Sequence, residues 1–413
     1  MTNPLPLLSN IRKQTADLPA QHLANLDEVE TIRIESGALS GVAGFLEQKG
    51  WISVVLVADR NTYEKAGKSL EELLLRASLQ VRVTLLRPDA KDDVIADEAS
   101  LIQVILDIQQ SRAGAVLAVG GGTIHDISRY AAYTAGLPFL SVPTAASVDG
   151  FTSKGAPIIV RGEKRTIPAI GPSAIFADVD ILMQAPAPLT AAGFGDMLGK
   201  YTSLFDWKFG SLIGEEHYLD RSADITAAAL RKCVDAAGAI AGGTEEGIRI
   251  LMEALIESGL AMLLFGQSHP ASGSEHHLSH FWEMEFIRLG KKQLLHGAKV
   301  GAACIEISRL YHAIKEEGLE IRAERFEEAG SKAEQEADRI RHRVSEHWSD
   351  IRLLLEQIPS PAELSELMRS VGGPASVSEL PISGELLQRS LREAHHVRSS
   401  RKTLLHIYNE YAR

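Results

Sequence analysis

Apolar and polar positions divide the chain into two stretches with different periods. In the first, short apolar runs rich in β-branched residues alternate with longer segments of helical spacing. Residues 53–58 form one such run, ended by Asp59-Arg60-Asn61, and residues 81–86 alternate until Arg87-Pro88. Residues 98–110 carry Leu101, Ile102, Ile105, Leu106 and Ile108 at helical spacing, followed by the apolar runs 115–119 and 138–143. Strands separated by helices of this length predict parallel βαβ units. Residues 157–160 and 165–167 flank a polar turn at 161–164 and predict a β-hairpin; residues 174–178 read as the last strand of the sheet.

After Pro186-Ala187-Pro188 the strand signals stop. The pattern turns helical to the C-terminus, with breaks at Gly242-Gly243, at 269–273, at Pro359-Ser360-Pro361 and at Gly372-Gly373-Pro374. The expected architecture is an α/β domain with a Rossmann-like parallel sheet over residues 1–185 and an all-α domain over 186–413. Within the second, residues 315–356 are dense in Glu and Arg and read as solvated faces of surface helices.

Length and charge narrow the class. A chain of 413 residues is long enough for two cores. With 45% apolar and 23% charged residues it has an ordinary globular composition, and a net charge of −11 disfavours nucleic acid or an anionic membrane as partner. No run approaches the roughly 20 apolar residues of a spanning helix, and residues 1–6 lack the basic and apolar regions of a secretory signal. Two cysteines, Cys233 and Cys304, are too few for a disulfide framework or a thiolate zinc site, so a reducing cytoplasm is expected.

Candidate chemistry falls in three clusters. Gly120-Gly121-Gly122-Thr123-Ile124-His125-Asp126 joins a strand to a helix with no Cβ at the turn, so a phosphate can approach the backbone and meet the helix amides. Its spacing is not the G-x-G-x-x-G of the usual dinucleotide fingerprint. The second cluster, 141–154, follows the next strand and would face the same crevice. There Thr144, Ser147 and Ser153 suit cofactor contacts, and Asp149 and Lys154 suit a polar substrate. The third combines Asp196 with His276 and His280, spaced i, i+4 on one helix face, and with His296-Gly297. A carboxylate with imidazoles suits a divalent first-row metal.

These clusters, in this order, resemble the superfamily of metal-dependent alcohol dehydrogenases, glycerol dehydrogenase and dehydroquinate synthase, and within it the bacterial branch of the sn-glycerol-1-phosphate dehydrogenases. The matching stretches are G-G-G-T-I-H-D (120–126), P-T-A-A-S-V-D-G-F-T-S (143–153), G-F-G-D-M-L-G-K (193–200), S-G-S-E-H-H-L-S-H (272–280) and L-L-H-G-A-K-V-G (294–301). The resemblance implies the dehydroquinate-synthase-like fold and one divalent metal, Ni2+ or Zn2+, held by Asp196, His276 and His296. It also implies substrate contacts from Asp149, Asp196 and His280, which would act in catalysis. NAD(H) or NADP(H) would be held by Asp59, Gly121, Gly122, Thr123, Ile124, Asp126, Thr144, Ser147 and Ser153. The implied reaction is reduction of dihydroxyacetone phosphate to sn-glycerol 1-phosphate and its reverse, for glycerophospholipid-type synthesis, in a cytoplasmic homodimer. The substrate phosphate would need donors, for which Ser and Thr hydroxyls, backbone amides and Lys154 or Lys200 are the candidates. Rival readings are a glycerol dehydrogenase acting on unphosphorylated polyols, a dehydroquinate-synthase-like lyase that recycles its NAD, and a binding scaffold without turnover.

Overall fold

The computed structural model describes residues 7–322 and 332–412. The N-terminal stretch 1–6 and part of the Glu- and Arg-rich run, 323–331, lie outside the described residues.

Six strands build one sheet: β1 (Thr31–Glu35), β2 (Ser53–Ala58), β3 (Gln80–Leu85), β4 (Ala115–Gly120), β5 (Phe139–Pro143) and, later in the chain, β8 (Ala174–Asp178). Their order is β1-β8-β5-β4-β2-β3, and every pairing is parallel. A parallel sheet covered on both faces needs strands that are apolar throughout. Accordingly β4, β5 and β8 are buried at every position, and β2 from Val54 onward. The chain leaves β2 for β3 on one side and returns to β4 on the other. That reversal opens a crevice beyond the carboxyl ends of β2 and β4, where open α/β sheets bind ligands.

One strand and the length of one turn differ from the expectation drawn from sequence alone: β1 was not expected, and the expected hairpin turns over two residues instead of four. The five residues of β1, T-I-R-I-E, are half-exposed and pair only with β8 at the sheet edge. Edge strands have one solvated side, so they carry less of the apolar signal that marks the others. The hairpin, β6 (Gly155–Val160) with β7 (Glu163–Pro168), is antiparallel around Arg161 and Gly162. Both turn residues have positive φ, as a two-residue primed turn requires. The hairpin stands apart from the main sheet and walls the crevice with Pro157, Ile159, Lys164 and Thr166.

All described strands end by Asp178, and the remainder is helical. The helix Glu245–Phe265 is buried along most of its length and packs with Ala187–Leu198 and Asp220–Asp235 around one apolar core. A second core lies under Lys200–Ile213, Ser274–Arg288 and His296–Glu317, covered by the C-terminal helices. Lys332–Glu356, within the charged run, turns Ala337, Ile340, Val344, Ile351 and Leu355 inward and its charges outward. No described helix is long and apolar enough to cross a membrane.

Candidate active site

The crevice opens into a cleft of about 1350 Å³ bordered by the sheet's carboxyl end, the hairpin and the helices that follow. On the sheet side, Gly121 caps the helix Gly122–Ala135, and Gly121, Gly122, Thr123, Ile124 and Asp126 border the cleft. A Cβ at Gly120 would lie 2.7 Å from the Ile124 side chain, whereas one at Gly121 would meet nothing within 4 Å. The first glycine therefore serves packing, and the second leaves open space for a ligand. Asp59 borders the cleft beyond β2, its Oδ1 accepting from the Thr62 amide at the start of a helical run. Ser147, Asp149 and Ser153 border the cleft too, while Thr144 stands back from it with its amide bonded to Gly120 O.

Two buried groups lie beneath the turn and bond to its backbone and neighbours. His125 lies with Nδ1 2.9 Å from Gly121 O and Nε2 2.8 Å from Ser141 Oγ. Those partners are satisfied by a neutral ring, Nδ1–H donating and Nε2 accepting from the hydroxyl. Burial, reinforced by the nearby Arg129 guanidinium, pushes its pKa from 6.5 to about 3. A histidine with a depressed folded pKa contributes stability that is present above pH 6.5 and lost as pH falls toward 3. His125→Gln is therefore expected to flatten the acid limb of a chemical-unfolding midpoint between pH 6.5 and about 3. A limb as steep as wild type's would remove this account.

Arg129, fully buried, donates to Asp126 Oδ1 (3.0 Å) and to the carbonyls of Gly150 (2.6 Å), Phe151 (3.1 Å) and Gly155 (2.9 Å). It ties the helix Gly122–Ala135 to the loop carrying Asp149 and to the root of the hairpin. Burial pushes the Asp126 carboxyl up to about 7, with Arg129 and then Lys164 opposing. Arg129→Met leaves three carbonyls and a carboxylate without their donor, and stability is expected to fall by about 3–5 kcal/mol. Urea unfolding followed by circular dichroism reads that loss; a midpoint within error of wild type would contradict it.

The opposite wall holds the acid–imidazole cluster. Asp196 lies in the last turn of Ala187–Leu198, His276 in the first turn of Ser274–Arg288, and His296 opens His296–Glu317. One ligand atom from each lies within 4.8 Å of the others. Asp196 Oδ1 is 3.5 Å from His276 Nε2 and 3.9 Å from His296 Nε2, while Oδ2 accepts from the Asp149 amide at 2.9 Å. Glu275 Oε1 receives His276 Nδ1 at 2.7 Å, which turns Nε2 toward Asp196. Glu275 also accepts from Thr202 Oγ1 (2.5 Å) and the Gly273 amide (2.7 Å). Burial alone would raise the Asp196 carboxyl, but Lys200, His276 and His296 hold it well below the usual carboxylate range. His296 is pushed down to about 3, first by burial, and so offers a neutral nitrogen.

Charge supports the same conclusion. Three buried carboxylates, Asp149, Asp196 and Glu275, meet the Lys200 ammonium and the His276 ring, whose pKa Asp196 and Glu275 raise against the effect of burial. Uncompensated buried charge is costly, and a divalent cation among Asp196, His276 and His296 would balance it. One carboxylate and two imidazoles, His276 giving up its proton as a metal binds, would leave further coordination positions for substrate, as catalytic sites require. The donor set fits a metal.

Sequence reasoning missed several groups around this cluster. Glu283 Oε2 accepts from Lys164 of the hairpin (2.7 Å) and Lys299 (3.1 Å) and stands 3.6 Å from His280 Nδ1. Burial pushes His280 well below 6.5, helped by Lys164, so its ring is neutral near pH 7. Lys299 lies one helical turn beyond His296 within L-L-H-G-A-K-V-G, and that spacing was the available signal. Neither lysine expected to meet the substrate phosphate is free. Lys154 Nζ bonds Asn25 Oδ1 and Glu28 Oε1, both at 2.7 Å. Lys200 Nζ is enclosed by Asp149 Oδ2 (2.8 Å), Asp196 Oδ1 (3.3 Å) and Ala271 O (3.1 Å).

A profile of the iron-containing alcohol dehydrogenase family matches residues 33–186. A glycerol-1-phosphate dehydrogenase (NAD(P)+) of Geobacillus thermodenitrificans is 45% identical over 382 residues, covering 92% of this chain and 93% of its own. A protein of the same name from Pyrococcus furiosus is 31% identical over 85% of each chain. Among solved structures, a probable glycerol dehydrogenase from Sinorhizobium meliloti superposes with a TM-score of 0.62 at 17% identity, over 89% of this chain and 88% of that one, which establishes the shared fold. With sheet order, glycine turn and acid–imidazole cluster all in place, the chain belongs to the glycerol-1-phosphate dehydrogenase family within the alcohol dehydrogenase superfamily.

Proposed function

We propose that the protein catalyses the reversible, NAD(P)H-linked reduction of dihydroxyacetone phosphate to sn-glycerol 1-phosphate, with Asp196, His276 and His296 as ligands of a single Ni2+ or Zn2+. The observation that carries this reading is the shared cleft, with the glycine turn on one wall and the acid–imidazole cluster on the other. The cofactor supplies the hydride, and the metal, when bound, supplies a Lewis acid that favours the reduced oxygen.

The chain's own groups do the rest. The amides opening Gly122–Ala135 meet the dinucleotide pyrophosphate at the positive end of the helix. Thr123, Ser147, Ser153 and Asp126 border its path, and Thr144 steadies the turn through its amide. Asp149 Oδ2 is taken by Lys200 and Ser258, which leaves Oδ1 to accept a substrate hydroxyl. His280, neutral and turned with Nδ1 toward Glu283, leaves Nε2 to pass the proton at the reacting oxygen. The hairpin closes one side of the cleft and limits water.

The test pairs elemental analysis of purified protein with rates on dihydroxyacetone phosphate using NADH and NADPH separately, and with oxidation of sn-glycerol 1-phosphate against glycerol. One nickel or zinc per chain and a clear preference for the phosphorylated substrate are expected. Full activity in metal-stripped protein, or faster turnover of glycerol, would overturn the reading. A cytoplasmic homodimer serving phospholipid synthesis belongs to the same proposal, and sedimentation analysis checks the dimer.

A further inference from the structure

A substrate carrying a phosphate dianion needs a cation beside the place where it reacts. Around the metal end of the cleft most cations are already paired: Lys164 and Lys299 share Glu283, Lys200 lies between two aspartates, and Lys154 holds Glu28. Arg398 is the exception. It borders the cleft with His276 and His280, and among the described residues it has no carboxylate partner. Its Nη1 donates to Ser268 Oγ (2.7 Å) and Ser272 Oγ (3.3 Å), which leaves Nε and Nη2 without a protein acceptor. Each serine hydroxyl, while accepting from the arginine, keeps its own proton to give.

A half-buried guanidinium without an ion pair is unfavourable on its own. Burial pushes Arg398 down to about 10 and neighbouring Arg401 adds to the push, with Glu275, not in an ion pair with it, opposing. The segment bearing it is nevertheless fastened firmly. Arg401 donates to Ser272 O (3.0 Å) and pairs with Glu216 (3.3 Å), the Lys402 amide meets Glu216 Oε1 (2.6 Å), and the Leu404 amide meets Asp206 Oδ1 (2.9 Å). Such anchoring keeps the side chain in place before any ligand arrives, which lowers the cost of binding. A planar fork flanked by hydroxyls matches the oxygens of a phosphate better than a lysine would.

We propose that Arg398, with the Ser268 and Ser272 hydroxyls, receives the phosphate group of the substrate and sets the preference for phosphorylated over unphosphorylated triose. This rests on the reaction proposed above. The C-terminal segment thereby contributes a specificity residue to a cleft otherwise built from residues before 300.

The experiment measures kcat/KM on dihydroxyacetone phosphate and on dihydroxyacetone, and inhibition by inorganic phosphate, for wild type, R398M, R398K and K164M, with metal content as the check on folding. Two charge-assisted hydrogen bonds of ordinary strength correspond to roughly 10²-fold or more. R398M is expected to lower kcat/KM for the phosphorylated triose by that factor, chiefly through KM, to collapse the ratio between the two substrates and to weaken phosphate inhibition. R398K should recover part of both. Wild type acting on dihydroxyacetone but not on its phosphate would overturn the reaction itself. Wild-type preference intact in R398M would overturn this assignment alone. So would intact preference in R398K, the deciding variant should R398M fail to fold, and so would loss of preference only in K164M.

Discussion

Asp196→Asn is expected to abolish bound metal and to lower turnover by roughly three orders of magnitude, the scale of the several kcal/mol that a Lewis acid supplies in the transition state. The substitution keeps the size of the side chain and removes its charge. Asp196 Oδ1 is the atom both imidazoles approach, and Oδ2 accepts from the Asp149 amide. An asparagine can satisfy only one of these demands. If its oxygen keeps the amide bond, its NH2 group faces His276 and His296; if it turns over, NH2 faces the Asp149 N–H. Lys200 keeps Asp149 and Ala271 O as partners, so the variant should remain folded. Elemental analysis and steady-state rates on one preparation, with thermal unfolding as control, decide the matter. Wild-type metal content in the variant would remove Asp196 from the ligand set, and wild-type turnover without metal would remove the metal from the reaction.

Gly297→Ala is expected to be nearly as damaging although it touches no reacting group. A Cβ there would lie 1.8 Å from the Ala192 carbonyl oxygen and 3.1 Å from the Asp196 amide. The facing atoms are backbone, which cannot swing aside, so Ala187–Leu198 and His296–Glu317 would have to separate. Overpacking of this kind costs about 1–3 kcal/mol and occasionally more, and this contact belongs at the upper end. The catalytic consequence is larger, because Asp196 rides on one of the two helices and His296 on the other. Lower metal affinity and a turnover loss of about 10²-fold are expected, since a misplacement near 1 Å costs that much. Gly44→Ala is the control: its Cβ meets nothing within 4 Å in the helix Ser40–Lys49, and it should raise stability by roughly 0.5–1 kcal/mol. Equal effects of the two substitutions would rule out the close-approach argument.

The contrast between these glycines shows what could be read from the chain. The β-branched runs at 53–58 and 115–119 announce buried parallel strands because both faces must be apolar, and both strands form there. The hairpin was legible from its polar turn, and Asp196, His276 and His296, expected as a group, lie together. β1 was not legible, since a half-exposed edge strand of five residues leaves little pattern. Nor were the partners of a charge: Lys154 and Lys200 looked available for phosphate until Glu28, Asp149 and Asp196 were found beside them. Arg398 illustrates the same limit from the other side. It reaches the cleft only through a chain reversal that no local spacing encodes.

β1 also dictates an order of assembly. Thr31 lies beside Ala174, and the helix before it bonds through His22 and Asn25 to the carbonyls of Leu264 and Leu263. During synthesis the first strand therefore emerges long before β8, its partner strand, and the helix ahead of it waits longer still, until Glu245–Phe265 has been made. Loop closure over such a span is slow, because its entropy is lost before the contacts are gained. The beginning of the chain is the last part of the sheet to settle, and its amides should be the last to gain protection in pulse-labelled hydrogen exchange.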